Sequence, residues 1–372
     1  LIAILVIIAL LLFALVLLDL PRSPARWTQR TLRGAEVVAL NLVVVILCGA
    51  LLNDQYYFYE SWSDLLGGQS QATSSASYGA TAKPSTTGPL GNRFAHWSAP
   101  ARLPALPYPG SRLQVYSVAG THPGYAHRVL VYLPARYDPA AARTYPVLVA
   151  LPGLPSSPES WTRMLHIGPT VDAAVAAHKI GAPIVVVPQT NEPARLDTEC
   201  VDSPDPAAPQ IDTWLSSTLP QWIVDHFRAT RARSAWAITG YSYGGWCAAA
   251  QLFRHPDVYS AGMVFEGYFT PEFASSYQPF TRTSRTFARY DLAKVAAARR
   301  PRVALWVLAA GGDPTSYSST QRLLAAIHAP TSATAVVLRH GGHLISVFEP
   351  YIPQAIQWLG SSAPGFTATA HA

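Results

Sequence analysis

Ala235-Trp-Ala-Ile-Thr-Gly-Tyr-Ser-Tyr-Gly-Gly-Trp-Cys-Ala-Ala-Ala250 decides how the rest of the chain is read. It is an apolar run, then a serine between glycines, then a segment of small residues, an order that reads as strand, sharp turn and helix. A serine at such a turn is held in strained backbone, and strand and helix come almost into contact around it, so small neighbours are required. Gly240 and Gly244 supply that room. The turn would lift the Ser242 hydroxyl above the sheet edge and aim the amide of Tyr243 toward negative charge developing on a carbonyl oxygen. A bare G-x-S-x-G match is weak in a chain with 24 glycines. The strand before it, the helix after it, and an acid and a histidine that follow in that order make it specific.

Around this stretch, residues 101–362 alternate strand-like and helix-like runs. Arg112 to Ala119 and Arg128 to Leu133 open the series. Tyr145 to Leu151, Pro183 to Val187, Ala235 to Thr239, Tyr259 to Phe265, Arg302 to Ala309 and Thr334 to Leu338 follow. Several are continuously apolar, as central parallel strands covered on both faces should be. The expected helices are Val171 to His178, Ile211 to Arg228, Gly245 to His255, Ser319 to His328 and Ile345 to Trp358. The alternation implies an α/β fold with a doubly wound, mostly parallel sheet, whose reactive groups gather where the strands end.

The residues just past each strand are therefore the ones to inspect. Gly153, after Val147 to Leu151, lets the main chain approach a substrate, and the amide of Leu154 is the candidate second oxyanion donor, because Pro155 has none. Gly311-Gly312-Asp313 follows Arg302 to Ala310, and a carboxylate there is placed to hold a histidine's tautomer. Glu266 and Asp291 are rival acids; a role for Glu266 would be that of a helper or a pocket wall. In Arg339-His-Gly-Gly-His-Leu344 two histidines compete, and His343 is preferred because the paired glycines and the next helix set it at the loop's end. The bland readings are an ordinary turn at Gly153 and carboxylates that cap helices or pair with surface arginines. Trp161, Trp214, Trp246, Tyr241 and Tyr268 could line a pocket, though aromatics in an apolar chain are more often core.

Composition bounds the rest. Of 372 residues, 49% are hydrophobic and 13% charged, which is apolar for a soluble protein and points to lipid contact. The net charge of +6 comes from scattered arginines with no basic face interleaved with aromatics, so nucleic acid is not an expected partner. Cys48, Cys200 and Cys247 show no C-x-x-C spacing, and no metal site is suggested. Cys200 and Cys247 can form a disulfide if the domain faces an oxidising exterior, buried free thiols being the alternative. The acidic residues around Cys200 lack calcium-loop spacing and read as a solvated loop.

The amino-terminal part is read as a membrane region, residues 1–65. Leu1 to Leu18 and Val37 to Leu52 are expected transmembrane helices. The stretch between them carries Arg22, Arg26, Arg30 and Arg33 and should stay cytoplasmic, which puts the rest of the chain outside the cell. Tyr56, Tyr57, Phe58, Tyr59 and Trp62 resemble an interfacial aromatic belt. Residues 66–100 are expected to be a flexible linker and residues 363–372 a disordered tail. The sequence starts at Leu1 rather than Met, so a longer protein is expected.

With these motifs in place, the globular part resembles the esterase D and mycolyltransferase branch of the α/β-hydrolases. The matching stretches are His127 to Pro134 with Tyr137, Tyr145 to Gly153, Gly240 to Gly245 and Gly341-Gly-His343. One departure is Pro152, where relatives often carry histidine. The layout as a whole resembles membrane-tethered esterases of actinobacteria. The resemblance implies that Ser242 attacks an ester carbonyl, His343 moves the proton, Asp313 orients His343, and the amides of Leu154 and Tyr243 hold the oxyanion. No metal or organic cofactor is implied. The substrate is expected to be a lipid or glycolipid ester; water as acceptor makes an esterase and a sugar hydroxyl an acyltransferase. A catalytically inactive surface-binding module on the same fold is the reading from another class.

Overall fold

The computed structural model describes residues 2–18, 27–56, 65, 72–79, 92–98, 100, 102–121, 125–191 and 196–368. The chain divides into two compact units, Leu1–Gly68 and Gln69–Ala372.

In the first unit, helices α1 (Ile2–Leu18) and α2 (Trp27–Tyr56) pack against each other. Among the described residues, one helix is long and apolar enough to cross a bilayer, the 21-residue window Arg33–Asn53 of α2; α1 is a shorter apolar helix. α2 begins ten residues before Val37, inside the stretch expected to be a loop, because Thr31 to Glu36 holds no proline and only Gly34 as a helix breaker. Of the expected aromatic belt, Tyr56 ends α2, while Tyr57, Phe58, Tyr59 and Trp62 lie outside the described residues, as do Arg22 and Arg26.

The second unit is built on a nine-stranded sheet. Its strands are β1 (Ala72–Gly79), β2 (Leu113–Ala119), β3 (Ala126–Tyr132), β4 (Val147–Leu151), β5 (Ile184–Pro188), β6 (Trp236–Tyr241), β7 (Ala261–Phe265), β8 (Ala304–Ala310) and β9 (Ser332–Leu338), in the spatial order β1-β9-β8-β7-β6-β4-β5-β3-β2. From β5 through β9 all pairings are parallel, and the antiparallel strands β1, β2 and β3 close the two edges. The apolar runs bury alternate residues on opposite faces. Leu305 and Val307 of β8 join one core layer, and Ala304, Trp306 and Leu308 the other. The first layer is covered by α4 (Leu219–His226), α5 (Tyr243–Arg254), α6 (Leu292–Arg299) and α7 (Pro314–Ala325), the second by α3 (Ile167–Ala176) and α8 (Ile352–Ser362).

Three expectations are corrected here. The 66–100 stretch is not a tether throughout: Ala72–Gly79 pairs with β9 as an edge strand, and Phe94 is fully buried against Trp236. An edge strand is held by main-chain hydrogen bonds along one side, so a polar sequence can form one without an apolar pattern. The 363–372 tail is ordered at its start, where Pro364–Phe366 forms a 3-10 turn that buries Phe366; residues 369–372 lie outside the described part. The expected helix Ile211 to Arg228 is interrupted by a π turn at Trp214–Thr218. Pro220 has no N–H for the Ser216 carbonyl, and that oxygen is taken by Arg93 Nη1 at 3.0 Å instead.

Candidate active site

The site begins with the backbone of Ser242, whose φ of 55° and ψ of −127° set it in a conformation a serine adopts only under constraint. Its N–H donates to the Phe265 carbonyl at 2.9 Å, fixing the end of β6 against β7. The neighbouring glycines are sterically required. A Cβ on Gly240 would lie 2.0 Å from the Gly244 carbonyl oxygen, and one on Gly244 would lie 2.3 Å from that of Leu151. Strand, turn and helix thus meet backbone to backbone, and Ser242 projects from their junction.

Two more strand ends converge on it. Asp313, after β8, starts α7: its Oδ1 accepts from the Ser316 N–H at 3.1 Å, and it is 2% exposed. His343 arrives on the loop after β9. Its Nδ1 lies 2.7 Å from Asp313 Oδ2 and its Nε2 2.7 Å from Ser242 Oγ. A carboxylate can only accept, so Nδ1 carries the hydrogen and Nε2 is left to accept from the hydroxyl. The three side chains named from the sequence are therefore in one hydrogen-bonded line, with the imidazole 27% exposed.

Gly153, where a Cβ would lie 2.6 Å from the Tyr241 ring and 3.4 Å from Ser242 Cβ, carries the end of β4 up to the serine and brings Leu154 with it. Tyr243 opens α5, so its N–H belongs to the first turn, where donors have no intrahelical acceptor. Of the rivals, Asp291 caps α6 and pairs with Arg322 Nη2 at 2.5 Å, away from His343. Glu266, directly after β7, has its Oε2 3.7 Å from His343 Nδ1. His340 is exposed beyond the end of β9. Glu266, Asp313 and His343 are the one group, among the described residues, close enough to suggest a metal site. The 2.7 Å between Nδ1 and Oδ2 is hydrogen-bond length, shorter than the roughly 3.3 Å that two ligands around a tetrahedral zinc ion would keep.

A disulfide joins Cys200 to Cys247, tying the loop after β5 to α5. The solvated loop expected around Cys200 is instead packed inward: Glu199 is 1% and Asp197 8% exposed. Trp246 Nε1 donates to the Glu199 carbonyl at 2.8 Å, Tyr268 OH to Glu199 Oε1 at 2.6 Å, and Thr198 Oγ1 lies 2.8 Å from Tyr243 OH. Burial, then the charge of Asp197, pushes the Glu199 carboxyl well above its ordinary range, and burial also pushes Asp197 up. Asp197 Oδ2 accepts from the Ala274 N–H at 3.3 Å. The burial of these acids was not legible in the sequence, because it depends on the disulfide and on Tyr268, 69 residues from Glu199. The aromatics considered as pocket lining are core: Trp161, Trp214 and Trp246 are fully buried, Tyr241 stacks on Phe348 and Tyr268 on Trp246.

Comparison with known proteins identifies the family and the fold. Residues 120–349, more than half of the chain, match the model of the family named Esterase, described as "Putative esterase". An uncharacterized protein of Corynebacterium glutamicum is 31% identical over 153 residues, which is 41% of this chain and 35% of that protein. The matched part thus spans about a third of that curated relative's length. Among solved structures, a ferulic acid esterase is similar with a TM-score of 0.57 at 20% identity, covering 68% of this chain and 97% of that one. An S-formylglutathione hydrolase from Agrobacterium tumefaciens follows at 0.54 and 18%, covering 68% and 95%. MPT51 of Mycobacterium tuberculosis has 0.50 and 15%, covering 68% and 99%. At these identities the structures attest the α/β-hydrolase fold.

Proposed function

The chain belongs to the Esterase family and is an enzyme, a serine hydrolase working as a carboxylic ester hydrolase or an acyltransferase; from that premise we propose that it is a membrane-anchored esterase of lipid or glycolipid esters that uses Ser242, His343 and Asp313. The observation that carries this reading is the pair of 2.7 Å contacts linking the Ser242 hydroxyl, the imidazole and the Asp313 carboxylate. Ser242 Oγ attacks the ester carbonyl while His343 Nε2 takes its proton. Asp313 holds the Nδ1–H and offsets the charge of the imidazolium. The N–H groups of Leu154 and Tyr243 receive the oxyanion, His343 returns the proton to the leaving alcohol, and water repeats the sequence to free the acid.

Anchoring is supported by the apolar window Arg33–Asn53, with α1 as a second span and the intervening arginines on the cytoplasmic side. The catalytic domain then lies outside the cell, where a disulfide such as Cys200–Cys247 persists. A catalyst held at a bilayer meets substrates that partition into it, which is why lipid esters are favoured over soluble ones. The domain comprises residues 101–362 together with β1 and the turns that bury Phe94 and Phe366.

The test is product analysis of the membrane-embedded protein with short- and long-chain acyl esters, with and without a polyol acceptor such as glycerol or trehalose. Free acid as the main product, abolished in Ser242→Ala, supports the esterase. Transfer product exceeding free acid moves the assignment to acyltransferase. No turnover of any ester, with an unlabelled Ser242 after fluorophosphonate treatment, contradicts both.

A further inference from the structure

Glu266 is the first residue after β7, and its φ of 46° puts a non-glycine residue in the left-handed region. The turn is locked by its N–H donating to the Leu308 carbonyl of β8 at 2.9 Å. β7 and β8 are parallel neighbours with Phe265 opposite Leu308, so the residues leaving the two strands, Glu266 and Asp313, reach the same space from adjacent strand ends. Both carboxyl groups are buried, with side chains 1% and 4% exposed. Both face one atom: His343 Nδ1 lies 2.7 Å from Asp313 Oδ2 and 3.7 Å from Glu266 Oε2.

A strained backbone and a buried acid each cost stability, so this placement is not what packing alone would select. At 3.7 Å there is no hydrogen bond, and Asp313 holds the imidazole in the resting geometry. A displacement of about 1 Å would bring Glu266 Oε2 into bonding range of the same N–H. We propose that Glu266 is a second acid for His343, a positioning residue that accepts the Nδ1–H whenever Asp313 does not. The inference rests on the Ser242–His343–Asp313 reading above. No covalent bond changes: the proton stays on Nδ1 and its acceptor is exchanged, so the tautomer that leaves Nε2 free for Ser242 is preserved. Two acids on adjacent strands would make the histidine's orientation tolerant of movement in the Asp313 loop.

A double-mutant cycle tests this on the full chain. The proteins are wild type, Asp313→Ala, Glu266→Gln and the double variant, with kcat and KM measured on an activated ester and melting followed by circular dichroism. Glu266→Gln is expected to lower kcat about threefold and Asp313→Ala about 10²-fold, and the double variant about 10⁴-fold, the scale of a triad deprived of its acid. KM should be unchanged throughout. The downfield proton resonance of the imidazole Nδ1–H should persist in Asp313→Ala and vanish in the double variant. Glu266→Asp in the Asp313→Ala background, with its shorter reach, should fall between the two. The inference is overturned if Asp313→Ala loses as much as the double variant, if the two losses simply multiply, or if the resonance is absent in Asp313→Ala. A wild type that hydrolyses no ester and is not labelled at Ser242 overturns the triad reading and this inference with it. A wild type labelled at Ser242 without redundancy between the acids overturns this inference alone.

Discussion

Two aspartate–histidine pairs of similar geometry sit in this molecule. Asp313 Oδ2 lies 2.7 Å from His343 Nδ1, and Asp212 Oδ1 lies 2.9 Å from His255 Nε2. What separates them is everything around the pair. The Asp212 carboxylate also accepts from Arg254 Nη2 at 2.5 Å, Gln251 Nε2 at 2.7 Å and Tyr290 OH at 3.1 Å, and Arg254 lies over the Tyr290 ring. The far nitrogen of His255 faces the Arg93 guanidinium, whereas that of His343 faces the hydroxyl of a strained serine at a strand end. One pair is saturated and fastens helices together. The other is left with a proton to move. An acid beside a histidine is thus no sign of catalysis until the second ring nitrogen is followed to its partner.

The contrast can be broken by exchanging the damage. His343→Ala should lower kcat/KM by about 10⁵- to 10⁶-fold with little change in melting temperature, because the residue sits on a loop and acts in the transition state. Asp212→Ala should do the reverse: stranding Arg254 and His255 costs about 3–5 kcal/mol of stability by denaturant unfolding, while the surviving folded protein keeps its kcat. If Asp212→Ala silences the folded enzyme, the two pairs are not functionally separate.

The disulfide sharpens the same division, since it binds α5 to the loop carrying Asp197 and Glu199. Cys247→Ser should cost about 2–4 kcal/mol of stability, read from urea unfolding, and leave Ser242 reactive below the melting transition.

Acid separates the regions further. His255 and Arg254 overcome the burial of Asp212 and hold its carboxyl down at about 2, from an ordinary 3.8. Its contribution is therefore complete above pH 4 and is lost as pH falls toward 2, about 2 kcal/mol over that window. Burial lowers His127 from 6.5 to about 4, so that its neutral form stabilises the fold above pH 6.5 and this is lost as pH falls to 4. Unfolding measured across pH should show two steps, the upper one removed in His127→Gln and the lower one in Asp212→Ala. Smallest is Glu199→Gln, expected to raise the melting temperature slightly at pH 8 and not at pH 4, since an acid whose folded range is raised costs stability as pH rises above its unfolded value.

Much of the candidate site was legible because its demands are local. Gly240 is dictated by its contact with Gly244 within one turn, and Asp313 and His343 follow apolar strands whose ends can be read directly. What escaped the sequence depends on distant partners or on backbone alone. Ala72–Gly79 has no apolar alternation, because an edge strand needs hydrogen bonds rather than burial. Asp197 and Glu199 read as solvent-facing acids, since their partners, the Ala274 N–H and the Tyr268 hydroxyl, lie about 70 or more residues away. His255 is bonded to an aspartate 43 positions earlier, a partner that residue order does not reveal. The π turn before Pro220 needed Arg93, more than a hundred residues away.

The account's central claim is that Ser242 is the nucleophile and His343 its base. The most direct measurement is peptide mapping by mass spectrometry after brief exposure of the membrane-embedded protein to a fluorophosphonate, run beside His343→Ala. A single adduct on the peptide containing Ser242, absent in the variant, is the predicted result. An adduct on another residue, or equal labelling of Ser242 without His343, would contradict it.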